Sequence, residues 1–79
     1  MIKVYTKTVC PQCTPVKAYL KAHNIEHEII NIDNDKDAYN YLKENNYTTT
    51  PVMILYENQK PVAVSTGRNA SLDVMKWTK

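Results

Sequence analysis

Ile2-Lys3-Val4-Tyr5-Thr6-Lys7-Thr8-Val9-Cys10-Pro11-Gln12-Cys13 is the stretch on which the reading of this 79-residue chain turns. Its opening, Ile2 to Thr6, is short, apolar and rich in β-branched residues, the composition of a buried strand. From Pro11 to about His23 the residues suit a helix. Val16, Tyr19, Leu20 and His23 recur at i, i+3, i+4 and i+7 on one face, and Asn24 is a stop signal. Pro11 and Pro15 are tolerable only in the first turn, where a missing N–H is no loss. Lys7 to Cys10 is then a loop, and the chain's two cysteines stand where a strand gives way to a helix.

That placement has a chemical meaning. A helix N-terminus carries about half a positive charge and unpaired N–H groups, which favour a thiolate at Cys10. Lys7 adds a second positive influence. In such settings a thiol pKa falls from about 8.5 to between about 3.5 and 7.5, and the thiolate is the attacking species in disulfide exchange. Cys13, one turn on, is the inner sulfur, able to close a disulfide with Cys10 with little backbone movement, while Pro11 limits freedom between them. Two other readings use the same residues. A structural staple across so short a loop would constrain very little chain. A zinc finger would need Cys10 and Cys13 to meet His23 and His27. A helix over residues 13–23 separates Cys13 from His23 by roughly 15 Å, whereas zinc ligands lie about 2.0–2.3 Å from the metal. No metal is expected.

Outward from this junction, Glu28 to Ile32 reads as a second strand. Asp33, Asn34 or Asp35 can cap a helix whose stripe is Ala38, Tyr41, Leu42 and Asn45. Asn46 to Thr50 is a polar loop ending at Pro51. Val52 to Tyr56 is apolar on both faces and so central. Glu57 to Lys60 is a turn, Val62 to Val64 its hairpin partner, and Gly67 a break. Ser71 is the expected cap of a last helix packed through Leu72, Met75 and Trp77. The order β-α-β-α-β-β-α predicts a four-stranded mixed α/β sheet flanked by helices, in one domain spanning residues 1–79.

Composition narrows the function classes. With 43% apolar and 23% charged residues the chain is neither a disordered tail nor a membrane span. Ten basic against eight acidic side chains give +2, too small and too scattered to predict a nucleic acid or membrane partner. The N-terminus lacks the apolar core and small-residue cleavage site of a signal peptide, so a cytoplasmic location is expected. Thiols there stay mostly reduced, and a Cys-x-x-Cys pair is more often catalytic or metal-binding than structural.

Tyr5-Thr6-Lys7-x-x-Cys10-Pro11-Gln12-Cys13, with Thr50-Pro51-Val52 after two βα units, resembles the glutaredoxin family, leaning towards its NrdH redoxins. The resemblance implies a thioredoxin fold with sheet order 2-1-3-4. It implies that Cys10 attacks a substrate disulfide, that Cys13 resolves the mixed disulfide, and that a cis Thr50-Pro51 bond lies beside the sulfurs. The Thr50 backbone would then pair with an extended substrate segment. Lys7 would meet a glutathione carboxylate or an acidic patch, and Gln12, Gly67 and Arg68 complete the implied substrate-binding set. The implied protein is a monomeric thiol-disulfide oxidoreductase with no tightly bound cofactor. It would reduce protein disulfides, ribonucleotide reductase among the candidates.

The electron source is either glutathione or thioredoxin reductase. Gln12 before the second cysteine is as in NrdH redoxins; Pro11 is as in ordinary glutaredoxins. Ser65-Thr66-Gly67-Arg68-Asn69-Ala70-Ser71 stands at the landmark where the two groups differ. Its spacing suits NrdH, but it lacks the NrdH tryptophan and also the acidic pair that would receive the amino group of glutathione. Two alternatives remain open. One is a glutathione-dependent glutaredoxin acting on glutathione mixed disulfides. The other is a non-enzymatic thioredoxin-fold adaptor or iron–sulfur-binding module.

Overall fold

Strand β1 (Ile2–Thr6) lies between two neighbours, so it must be apolar on both faces. Its alternate side chains feed two separate cores. A computed structural model describes residues 1–78. The other elements are α1 (Cys13–Ala22), β2 (His27–Asn31), α2 (Lys36–Glu44), β3 (Val52–Glu57), β4 (Lys60–Thr66) and α3 (Asn69–Trp77). The sheet order is β2-β1-β3-β4, with β1 parallel to β2 and antiparallel to β3, and β3 antiparallel to β4.

On one face Ile2, Val4 and Met53 pack with Val16 and Leu20 of α1 and with Ala70 and Val74 of α3. On the other, Tyr5, Val52 and Ile54 pack with Ile32 and with Ala38 and Leu42 of α2. Full burial of a side chain such as Leu20 or Ile54 contributes about 1.5–3 kcal/mol. Ser65, buried in β4, donates its hydroxyl to the Asp73 carboxylate at 2.6 Å and so ties β4 to α3.

Several boundaries differ from the sequence reading. Helix α1 begins at Cys13 rather than Pro11; Cys10 to Gln12 form a turn in which the Cys13 N–H donates to the Cys10 carbonyl at 3.1 Å. Strand β2 runs from His27 to Asn31 rather than from Glu28 to Ile32. The Ile32 N–H still donates to the Thr6 carbonyl, while its side chain turns into the α2 core. Asp35 alone caps α2, accepting from the Ala38 N–H, and Asn45 is an exposed C-cap outside the packed stripe. The hairpin turn is only Asn58-Gln59, both at positive φ as in a type I′ two-residue loop, and β4 is longer than expected, with a bulge opposite Leu55/Tyr56.

The last helix departs most. Arg68, not Ser71, occupies its N-cap, and the Ser71 hydroxyl instead donates to the Arg68 carbonyl at 2.9 Å. Ala70 and Val74 face the core with Trp77 packed beside them, whereas Leu72 and Met75 face outward. An i, i+4, i+7 stripe starting at residue 70 excludes both.

Candidate active site

The β1–α1 junction, the loop before β3 and the turn after β4 converge at one end of the sheet. Cys10 and Cys13 form a disulfide with their Cα atoms 5.3 Å apart. Cys10 is half-buried, while Cys13, the first residue of α1, is 2% exposed and packed in the interior. The Thr50-Pro51 peptide bond is cis. The Thr50 hydroxyl lies 3.4 Å from Cys10 Sγ, and Pro51 is buried behind it. Among the described residues no backbone hydrogen bond engages the N–H or carbonyl of Thr50, although β3 begins two residues later.

Gly67 braces this loop from the far side. Its N–H donates to the Pro51 carbonyl at 2.9 Å and its carbonyl accepts the Ala70 N–H at 3.2 Å, so one residue links the cis-proline to the head of α3. Its φ of +61° is the left-handed region that glycine occupies without steric cost. The place where its Cβ would stand is 3.0 Å from Thr49 Cγ2 and 3.9 Å from Gln12 Oε1, which puts Gln12 beside this turn.

The remaining predicted residues divide into two groups. Lys7 and Thr50 line a hollow of about 280 Å³ whose other walls include Tyr39, Leu42, Lys43 and Tyr47. Gln12 and Arg68 line a second, more open hollow of about 600 Å³ with Pro11, Pro15, Ser71 and Leu72. Cys10 sits between them, beside Thr50 on one side and Pro11 on the other.

Two features escape the sequence reading. Tyr39 and Lys43, four apart on α2, are out of phase with its buried stripe and project beside Lys7; that phase was the available signal. The second is a tether on the loop before Cys10. The Thr8 N–H donates to Asp33 Oδ2 at 2.9 Å, Asn31 Nδ2 donates to the Thr8 hydroxyl at 3.3 Å, and the Asp33 N–H donates to Asn31 Oδ1 at 2.9 Å. The Thr8 N–H holds the Asp33 carboxyl below the usual carboxylate range, with the Thr8 hydroxyl and Lys7 acting in the same direction.

A four-stranded mixed sheet with helices on both faces, carrying a cysteine pair at the first strand–helix junction opposite a cis-proline, defines a thioredoxin-like protein. The glutaredoxin family model matches residues 2–58, and the chain belongs to the glutaredoxin family, whose members are thiol-disulfide oxidoreductases that need no tightly bound cofactor. The glutaredoxin-like protein NrdH of Lactococcus lactis subsp. lactis is 36% identical over 53 residues, 67% of this chain and 74% of that protein. The solved structure of the glutaredoxin-like NrdH-redoxin from Escherichia coli shares the fold at a TM-score of 0.77 and 23% identity, over 95% of this chain and 91% of that one. Thioredoxin from Trypanosoma brucei brucei does so at 0.72 and 13% identity, over 98% and 70%. Among the described residues no helix is long and apolar enough to cross a membrane.

Proposed function

We propose that this chain reduces protein disulfides through the Cys10–Cys13 dithiol, in the manner of an NrdH-type redoxin. The observation that carries this is the asymmetry of the pair: Cys10 is half-buried beside an unpaired stretch of backbone at Thr50, and Cys13 is fully buried. The Cys10 thiolate attacks one sulfur of the substrate disulfide, forming a mixed disulfide and expelling the other sulfur as a thiolate. Cys13, deprotonated, then attacks Cys10 Sγ and releases the second substrate sulfur. Two electrons pass to the substrate and the Cys10–Cys13 disulfide remains. The Thr50 N–H and carbonyl pair with the extended substrate segment, as in strand addition.

Thioredoxin reductase is the proposed reductant. Among the described residues no carboxylate lines either hollow, and Gly67 is followed by Arg68-Asn69, so the amino group of glutathione would find no counter-charge there. Lys7 and Lys43, which both line the first hollow, favour the glutathione-dependent reading instead, because they suit its carboxylates. Turnover of insulin disulfides with NADPH and thioredoxin reductase, set against glutathione with glutathione reductase, separates the two. Turnover with glutathione alone overturns the NrdH-type assignment. The Cys10→Ser variant is expected to be inactive in both; retained activity overturns the role of Cys10. Ribonucleotide reductase is the first protein substrate to test, because the likeness to NrdH points to it.

A further inference from the structure

We infer that the Thr50 side-chain hydroxyl is a catalytic group, donating to the Cys10 thiolate and setting its reactivity. This rests on the reading of Cys10 as nucleophile and goes beyond the strand-like role of the Thr50 backbone.

The oxygen and sulfur are 3.4 Å apart, and an oxidised Cys10 carries no proton, so the hydroxyl must be the donor. Among the described residues the Thr50 hydroxyl has no other hydrogen-bond partner. A disulfide sulfur is a weak acceptor, whereas a thiolate accepts a charge-assisted bond roughly twice as strong as a neutral one. The contact therefore strengthens when the disulfide opens, and it favours the reduced form.

The head of α1 makes this donor matter. A helix N-terminus usually offers an anion several free N–H groups. Here Pro11 and Pro15 have none, and the Cys13 N–H is committed to the Cys10 carbonyl. Of the first N–H groups only those of Gln12 and Thr14 remain uncommitted, and a hydroxyl from the cis-proline loop adds a donor to this shortened set. The charged groups around the site are Lys7 on the β1–α1 loop, Lys43 on α2, Arg68 at the head of α3 and Asp33 just after β2, tethered to Thr8. All four are unchanged in a Thr50 variant, so a shift in Cys10 titration there reports the hydroxyl.

The test is the pH dependence of alkylation by iodoacetamide in the reduced protein, with the labelled cysteine mapped by mass spectrometry. Thr50→Val keeps the shape and removes the donor; Thr50→Ser keeps the donor. Thr50→Val should raise the Cys10 midpoint by about one pH unit, a tenfold change, given a charge-assisted bond partly replaced by water. Above the Cys10 midpoint the dithiol–disulfide equilibrium should shift up to about tenfold towards the disulfide, a potential about 30 mV more negative. Thr50→Ser should return both to the parent values. Should the valine variant not fold, Thr50→Ala against Thr50→Ser provides the same contrast. Label on Cys10 with an unmoved midpoint, or a serine variant that behaves as valine does, overturns this inference alone. Label appearing first on Cys13 overturns the reading of Cys10 as nucleophile.

Discussion

Gly67→Ala concentrates the physics of this site in one methyl group. Gly67 sits at φ +61°, and an L-residue with a Cβ pays roughly 1–2 kcal/mol in the left-handed region. The added Cβ would also meet Thr49 Cγ2 at 3.0 Å, closer than ordinary van der Waals contact. Thr49 is exposed, so its methyl can turn aside, and the backbone term dominates. The expected loss is about 1–2 kcal/mol, and at roughly 4–8 °C per kcal/mol for a chain of this size Tm falls by about 4–16 °C. The assay is thermal unfolding followed by circular dichroism, on the single variant and on Gly67→Ala combined with Thr49→Ala. The double variant removes the nearest atom but leaves the strained backbone, so most of the loss should persist. A Gly67→Ala protein that melts with the parent shows that the left-handed backbone carries no such cost; full recovery in the double variant assigns the cost to the contact instead. Insulin reduction should fall as well, because the Gly67 N–H is what holds the Pro51 carbonyl.

Two other outcomes follow from the same geometry. Gln59, at φ +68° in the β3–β4 turn, is a position where glycine removes strain, so Gln59→Gly should raise the urea midpoint by an amount equivalent to about 0.5–1 kcal/mol while leaving turnover unchanged. The Asp33 carboxyl is held low by the Thr8 N–H. Its tether is therefore intact above the ordinary carboxylate pKa and lost only as pH falls through the depressed one. An NMR titration of the Thr8 amide should show a midpoint below that of aspartate in an unstructured peptide; a midpoint at or above it removes the tether.

The strand–helix junction was legible because its signals are local. A β-branched run before Cys10 and a 3.6-residue period after Cys13 need no partner elsewhere to be read, and the central β3 announces itself by being apolar on both faces. The last helix departs from its sequence pattern for a related reason. Leu72 and Met75 are apolar, yet on a nine-residue helix with few apolar positions more than one stripe can be drawn, and small Ala70 is the residue that fits against the sheet. Ser71 looks like a cap by type, but the chain enters that helix three residues earlier, at a place fixed by the Gly67 bond to Pro51.

Local sequence carried the order of the elements, a buried β1, a central β3 apolar on both faces, and the cysteine pair at a helix head. These depend on residue type and near-neighbour spacing. Long-range packing set residue 50 against residue 10, brought Lys7 and Lys43 to one hollow, and brought Gln12 and Arg68 to another. Those meetings bring together groups up to 56 residues apart, from Gln12 to Arg68, and they exist because a parallel β1–β2 pair and an antiparallel β3 bring the ends of three strands to one end of the sheet. Spacing along a chain carries no record of such distances; packing does.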